Sequence, residues 1–290
     1  VLSRSLIYYN GASLKGKGIK FSVDGAKKHL QRYYRKHGAD GYVLMMDFKG
    51  YFDNILHEPI YESLEKKFTD KGVRDLTRQF IEPFGAKSLG LGSQVSQILA
   101  VHYTNKIDHL IKQELRIKFY GRYMDDCYLI HPSKDYLKDC QERIRAECDK
   151  VGIVLNQNKT QIVKLSKGFK FLKTRFYLTD TGKVILKPCR DSIVRMRRKL
   201  KAFKPMVDRG EMEFEDVRIS YNSWRGYIMH KNAYRTVQNM DKLFVGLFDR
   251  SWRKHDIEQQ STDLSAMRNC SKTISHYSRA TPDARDARGV

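Results

Sequence analysis

Apolar positions along the chain follow two periods. Tyr42 to Met46 is a continuous apolar run ending on Asp47, and reads as a buried strand. GRYMDDCYLI, Gly121 to Ile130, reads as two strand segments meeting at Asp125 and Asp126. Tyr120, Tyr123, Tyr128, Leu129 and Ile130 favour extended backbone there. Ile153 to Leu155 is a further strand candidate. Between these, apolar residues return every three or four positions. Asp24 to Lys36 is a predicted helix with Asp24 or Ser22 as N-cap and Ala26, Leu30, Tyr33 and Tyr34 inward. Pro59 opens another that runs to Lys67, and Val73, Leu76, Phe80 and Ile81 mark a short third. A fourth is expected from Ile98 to about Leu115. A fifth spans Asp135 to Lys150, with Leu137, Cys140, Ile144, Cys148 and Val151 on one face and Gly152 closing it. Strand, helix, hairpin, helix and strand in this order make a split βαβ arrangement, so the fold class is α+β.

From Lys187 the pattern becomes helical and basic. Ile193, Met196, Leu200 and Phe203 form one face, and Arg195, Arg197, Arg198, Lys199, Lys201 and Lys204 cover much of the rest. Such a face either tracks a phosphate backbone or is only solvated. SYNSWRGYIMHKNAYRTVQNM follows, with Trp224 and Tyr227 as core candidates and Arg225 or His230 as candidate nucleic-acid contacts. Past about His255 the chain turns polar, which predicts loose order. The expected division is 1–186, 187–255 and 256–290.

Charge narrows the partner. Lys and Arg number 55 against 33 Asp and Glu, a formal charge of +22. A polyanion is the economical reading, because each phosphate neutralised releases counterions. A basic enzyme of another kind, or one that binds an acidic membrane, is the alternative. Hydrophobic residues make up 41% of the chain, enough for a core. Cys127, Cys140, Cys148, Cys189 and Cys270 form no CxxC and no Cys/His array, so reduced thiols are expected and not a zinc site or disulfide framework. No apolar run approaches the roughly 20 residues that span a bilayer, and the start shows no signal-peptide pattern. A soluble, cytoplasmic protein without membrane partners is the expectation.

The candidate chemistry lies where the strands end. Asp125 and Asp126 are adjacent, and Asp47 comes from a separate strand end. Three carboxylates supply hard oxygen ligands for Mg²⁺, and two such ions about 4 Å apart suit displacement at phosphorus. A solvated turn is the bland alternative. Near the start, Gly11, Gly16 and Gly18 alternate with Lys15, Lys17 and Lys20 in a basic, turn-rich loop. It either holds a template strand's phosphates or is a flexible loop that happens to be basic.

Several segments together resemble the reverse transcriptases. DFKGYFDNI is similar to their motif A, LGLGSQVSQ to motif B, YMDD to motif C, NQNKT to motif D and FKFLKTRF to motif E. The resemblance covers most of Lys15 to Arg235, in the family's order. It implies a right-hand polymerase with a split βαβ palm, partial fingers and a helical thumb. The first fingers motif is expected upstream of this chain's start. Asp47 and Asp125 would hold two Mg²⁺ ions, which Mn²⁺ can replace, and Asp126 would support them. Lys159 would stand near the leaving pyrophosphate. Phe48, Phe52, Gln94, Ser96, Gln97 and Tyr123 fall where the family binds nucleotide. Phe52 matches a steric gate or is a core aromatic, and Ser96 either caps a helix or binds a ligand.

Lys15, Lys17, Lys20, Leu172, Lys173, Arg195, Arg198 and Lys201 would hold nucleic acid, with Lys173 standing where the family usually has glycine. The GxxxSQ form of motif B, in place of QGxxxSP, is similar to that of diversity-generating retroelements. It implies a basic accessory protein and error-prone copying at template adenines. An RNA template, a DNA or RNA primer and dNTPs complete the implied partners. A defence-type relative making untemplated DNA, a group II intron-like enzyme and an inactive nucleic-acid-binding module are the competing readings.

Overall fold

The structure, a computed structural model, describes residues 1–253 and divides into two units, the first Val1–Cys189 and the second beginning at Arg190. In the first, β1 (Tyr42–Asp47) is a central strand because both its faces are apolar. Leu44 and Met46 enter one core cluster and Val43 and Met45 another, the alternation that a pleated strand imposes. A four-stranded sheet forms around it in the order β2 (Phe119–Tyr123), β3 (Asp126–His131), β1 and β4 (Gln161–Lys164), with every recorded pairing antiparallel.

Helix α1 (Ile19–His37) lays Ala26, Leu30 and Tyr33 on one face of this sheet. On the same cluster sits a second antiparallel sheet of β5 (Phe169–Phe171), β6 (Thr174–Leu178) and β7 (Val184–Pro188). The short α2 (Tyr51–Asn54), α3 (His57–Lys67) and α4 (Lys71–Ile81) follow β1. Then α5 (Gln94–Tyr103) and α6 (Asn105–His109) lead into a π-helical turn over 110–114. The opposite core is completed by α7 (Lys134–Asp149), whose Leu137, Cys140, Ile144 and Cys148 are all buried.

The differences from expectation are local. Helix α1 begins at Ile19 after Gly18, so Asp24 and Ser22 lie inside it and cap nothing. Ile153 to Leu155 forms only a bridge between Leu155 and Phe48; the fourth strand comes later, at β4. β4 pairs on one side only and half exposes its residues, so Gln161 and Lys164 concealed it from an apolar pattern. The helix expected from Ile98 starts at Gln94, capped by Ser93, whose Oγ accepts from the Ser96 amide at 3.4 Å. It breaks at Thr104.

The second unit contains α8 (Arg190–Asp208), α9 (Phe214–Met229) and α10 (Tyr234–Phe248) around Met196, Leu200, Val217, Tyr221, Met240 and Phe244. Trp224 and Tyr227 are half-buried against these cores. Arg225, a candidate nucleic-acid contact, is instead committed to Asp241 through its Nε at 2.9 Å and Nη2 at 3.2 Å. The expectation for 256–290 lies outside the described residues. Among those described, no helix is long and apolar enough to cross a membrane, and Cys127, Cys140, Cys148 and Cys189 are buried thiols.

The apolar packing between α1 and the hairpin of β2 and β3 encloses one polar contact. His29 Nδ1 lies 2.8 Å from the Tyr128 hydroxyl, and the Tyr9 ring covers the imidazole at 4.1 Å between centroids. That hydroxyl passes so near Gly121 that a Cβ there would stand 2.7 Å from it, which requires glycine. Burial, reinforced by Lys112 and Arg32, pushes the His29 pKa down to about 3. The unfolded chain therefore takes up a proton near pH 6.5 that the folded chain refuses, and stability falls as pH drops below that value. His29→Gln is expected to flatten the fall in unfolding free energy between pH 6.5 and 5 by up to about 1.4 kcal/mol per pH unit. Identical slopes in a urea-denaturation series would refute this account.

Candidate active site

Strand register brings the carboxylates together. Asp47 ends β1 directly across from Asp126 of β3, and the Phe48 amide donates to the Asp125 carbonyl at 3.3 Å. Asp47, Asp125, Phe52, Leu91, Asn156 and Lys159 line a cleft of about 310 Å³. The β2–β3 turn is tight: Met124 adopts a left-handed φ of 52°. Asp126 accepts from the Leu172 amide at 3.4 Å, so the turn between β5 and β6 reaches the same carboxylate. Leu172 and Lys173 both have positive φ, 47° and 56°, and Lys173 adopts without glycine the conformation that glycine would favour.

Lys159 lies against Asp47, its Nζ 2.9 and 3.0 Å from the two oxygens. Asn156 donates its side-chain amide to Asp47 Oδ2 at 3.0 Å and its main-chain amide to the Asp47 carbonyl at 2.8 Å. Burial first, then Asp125 and Asp47, pushes the Asp126 pKa up to about 7, against the Leu172 hydrogen bond. Asp125 is raised as well, again chiefly by burial. Lys159 shifts upward through its hydrogen bonds to Asp47.

Crowded carboxylates of this kind gain from a cation. Among the described residues no three Asp, Glu, His or Cys side chains converge tightly enough to form an ion-holding group. The chemistry of the donors nevertheless fits a hard divalent ion, since carboxylate oxygens are its preferred ligands. Asp47 already draws the Lys159 ammonium to itself.

The other expected site residues divide. Phe52 is half-buried at the cleft, whereas Phe48 is 3% exposed and packs its ring on Tyr51 at 5.4 Å. Gln94 is exposed at the start of α5. Ser96 is buried and faces the core, and the Gln97 Oε1 accepts from Ser13 Oγ at 3.1 Å. Tyr123 packs against the core beneath the second sheet. Lys15 is exposed, and Lys20 pairs with Asp24 at 2.7 Å. Lys17 turns inward to donate to the carbonyls of Tyr8 and Asn10 at 2.6 and 3.1 Å, so it holds its own loop together. In the second unit Arg195, Arg198 and Lys201 are exposed on α8.

Sequence reasoning passed over Asn156, Leu91 and Arg122. Asn156 opened the NQNKT segment and Leu91 sat within LGLGSQ, but neither residue type announces a role. Arg122 had a signal: it shares strand parity with core-facing Tyr120.

Carboxylates at the ends of neighbouring antiparallel strands, beside a capped helix and a lysine, are what the resemblance to a polymerase palm leads one to expect. The profile of the family described as "Reverse transcriptase (RNA-dependent DNA polymerase)" matches residues 12–176, more than half of the chain, and the chain belongs to that family. Among solved structures it is similar to telomerase from Candida albicans in complex with the TWJ fragment of telomeric RNA. Identity is 14%, over 82% of this chain and 44% of that one, with a TM-score of 0.53. Apo telomerase from Candida tropicalis gives 14% identity over 85% and 48%, with a TM-score of 0.47. The chain thus spans less than half the length of these proteins, and the likeness to the Candida albicans structure shows the fold alone. No curated protein sequence matches it.

Asp126 provides a test of the electrostatics. In chelator-containing buffer at pH 8, Asp126→Asn is expected to raise the unfolding free energy by roughly 1 kcal/mol or more, because it removes a buried like charge. The sign follows from the raised pKa: only the unfolded chain ionises between about pH 4 and 7, so the gain fades toward pH 4. A destabilised variant at pH 8 would show that the carboxylate is already well compensated.

Proposed function

We propose that this chain is an RNA-directed DNA polymerase that copies an RNA template by nucleotidyl transfer at Asp47, Asp125 and Asp126. The observation that carries the reading is the strand register that sets Asp47 opposite Asp126, with Asp47, Asp125 and Lys159 lining one cleft. In this reaction the primer 3′-hydroxyl attacks the α-phosphorus of a dNTP and pyrophosphate leaves. Asp47 and Asp125 would hold two Mg²⁺ ions, or Mn²⁺ in their place, with Asp126 beside them. Such ions lower the pKa of an attacking hydroxyl and neutralise charge on phosphate oxygens. Lys159 lies 63% exposed at the cleft, where its ammonium can turn from Asp47 to the departing pyrophosphate and steady or protonate it.

Other parts of the chain support the same reading. Exposed Lys15, Arg195, Arg198 and Lys201 offer charge for template and primer backbones, and the Leu172–Lys173 turn suits a primer end. On the GxxxSQ form of motif B, the biological setting is a diversity-generating retroelement, with a basic accessory protein and a cytoplasmic location.

Primer extension on an RNA template tests the activity. Wild-type chain should yield template-complementary DNA, and Asp125→Ala should lower incorporation by at least about a thousandfold while duplex affinity stays within a few-fold. Untemplated products would reassign the chain to DNA synthesis without copying. Absence of any product would leave a binding module.

Sugar choice tests the placement of Phe52. Its ring is proposed to occupy the space that a ribose 2′-hydroxyl needs, so Phe52→Val should raise the ratio of GTP to dGTP incorporation, in kcat/KM, by roughly tenfold or more. An unchanged ratio with a loss of about 3 kcal/mol in stability would make Phe52 a core aromatic only.

A further inference from the structure

The largest side chain buried completely among the described residues is that of Arg122. Its carboxylate partner, Asp108 of α6, is also fully buried. Arg122 Nε donates to Asp108 Oδ1 at 2.9 Å and Nη2 to Oδ2 at 2.6 Å, a two-pronged pair. The Tyr120 hydroxyl adds a donor to Oδ1 at 2.5 Å. The guanidinium has further donors to spend. Nη2 reaches the Val101 carbonyl of α5 at 2.9 Å, and Nη1 reaches the Met124 carbonyl, also at 2.9 Å. The backbone of Arg122 is held too: its amide donates to Tyr9, and its carbonyl accepts from Gly11, both at 3.1 Å.

A buried ion pair is weak evidence of stability, since well-packed apolar groups of similar volume often serve as well. What an apolar pair could not do is hold the Met124 carbonyl. Met124 sits in the left-handed region, which L side chains avoid, and it immediately precedes Asp125. Arg122 supplies a buried donor to the carbonyl of this strained residue. The same guanidinium grips α5, the helix capped by Ser93, two residues beyond Leu91 at the cleft.

We propose that Arg122, oriented by Asp108 and Tyr120, is a positioning residue. It fixes the Met124–Asp125 peptide so that the Asp125 carboxylate points into the cleft, and it ties this turn to α5. Its catalytic consequence rests on the polymerase reading above; the clamp itself does not. The four bonds leave from three separate nitrogens of a planar group, a span that the single nitrogen of a lysine ammonium does not reproduce.

The test separates stability from positioning. Arg122→Met combined with Asp108→Leu and Tyr120→Phe removes the polar network without leaving a buried charge or hydroxyl unpaired. Arg122→Lys keeps the charge and removes the fork. Both are assayed below their melting transitions by single-nucleotide incorporation on an RNA-templated primer and by amide hydrogen exchange. The expected result is a kcat reduced roughly tenfold to a hundredfold with the dNTP KM within about twofold. Exchange should be faster at residues 123–126 and unchanged at 43–46. A triple variant with wild-type kcat and wild-type exchange at the turn would overturn the proposal and make the network a filler of the core. If the wild-type chain extends no primer, the polymerase reading falls, and exchange at the turn decides the clamp by itself.

Discussion

In β1 and β3 the antiparallel register that sets Asp47 opposite Asp126 is the constraint on which the site depends. It is fixed from several directions. β1 pairs with β3 on one side and β4 on the other, and beyond its last residue the Phe48 and Asn156 amides continue the bonding. Both faces of the strand are buried, each against its own core, so a slip of one residue would repack two cores at once. The carboxylates stand where this support ends. Rigid strands thus hold charged groups that would not choose each other's company.

Charge is the counterpart of that rigidity. Asp125 and Asp126 are both driven toward protonation, chiefly by burial, and Lys159, which bonds directly to Asp47, offsets this only in part. The fold tolerates an electrostatic conflict at one end of its sheet because the two strands that carry it, β1 and β3, are otherwise largely apolar and paired on both sides. Departures from local favourability concentrate at such places: the left-handed Met124, Leu172 and Lys173 all border these carboxylates.

Much of this was legible in the sequence, for physical reasons that differ by element. Strand β1 and the hairpin announced themselves because their apolar content and terminal carboxylates are local properties. Helix α7 was legible from its periodic Leu137, Cys140, Ile144 and Cys148. Strand β4 was not, because an edge strand with one paired side carries little apolar signal. The start of α5 was misplaced because Ser93 and Ser96 are chemically alike, and only geometry selects the cap. Positive charge was legible in amount but not in use. Lys17 and Arg225 resemble their solvent-facing neighbours in sequence, yet each is committed to partners within its own unit.

The bond from the Leu172 amide to Asp126 bears on which insertions and deletions the chain can accept. The β5–β6 connection is a two-residue turn, with both residues left-handed and one amide aimed at the Asp126 carboxylate. One residue more or less would rotate that amide away and leave Asp126 without its donor. Hairpin tips are ordinarily where lineages diverge in length, because little depends on them. This one is expected to keep its length while its side chains vary, since the contact it makes belongs to the backbone.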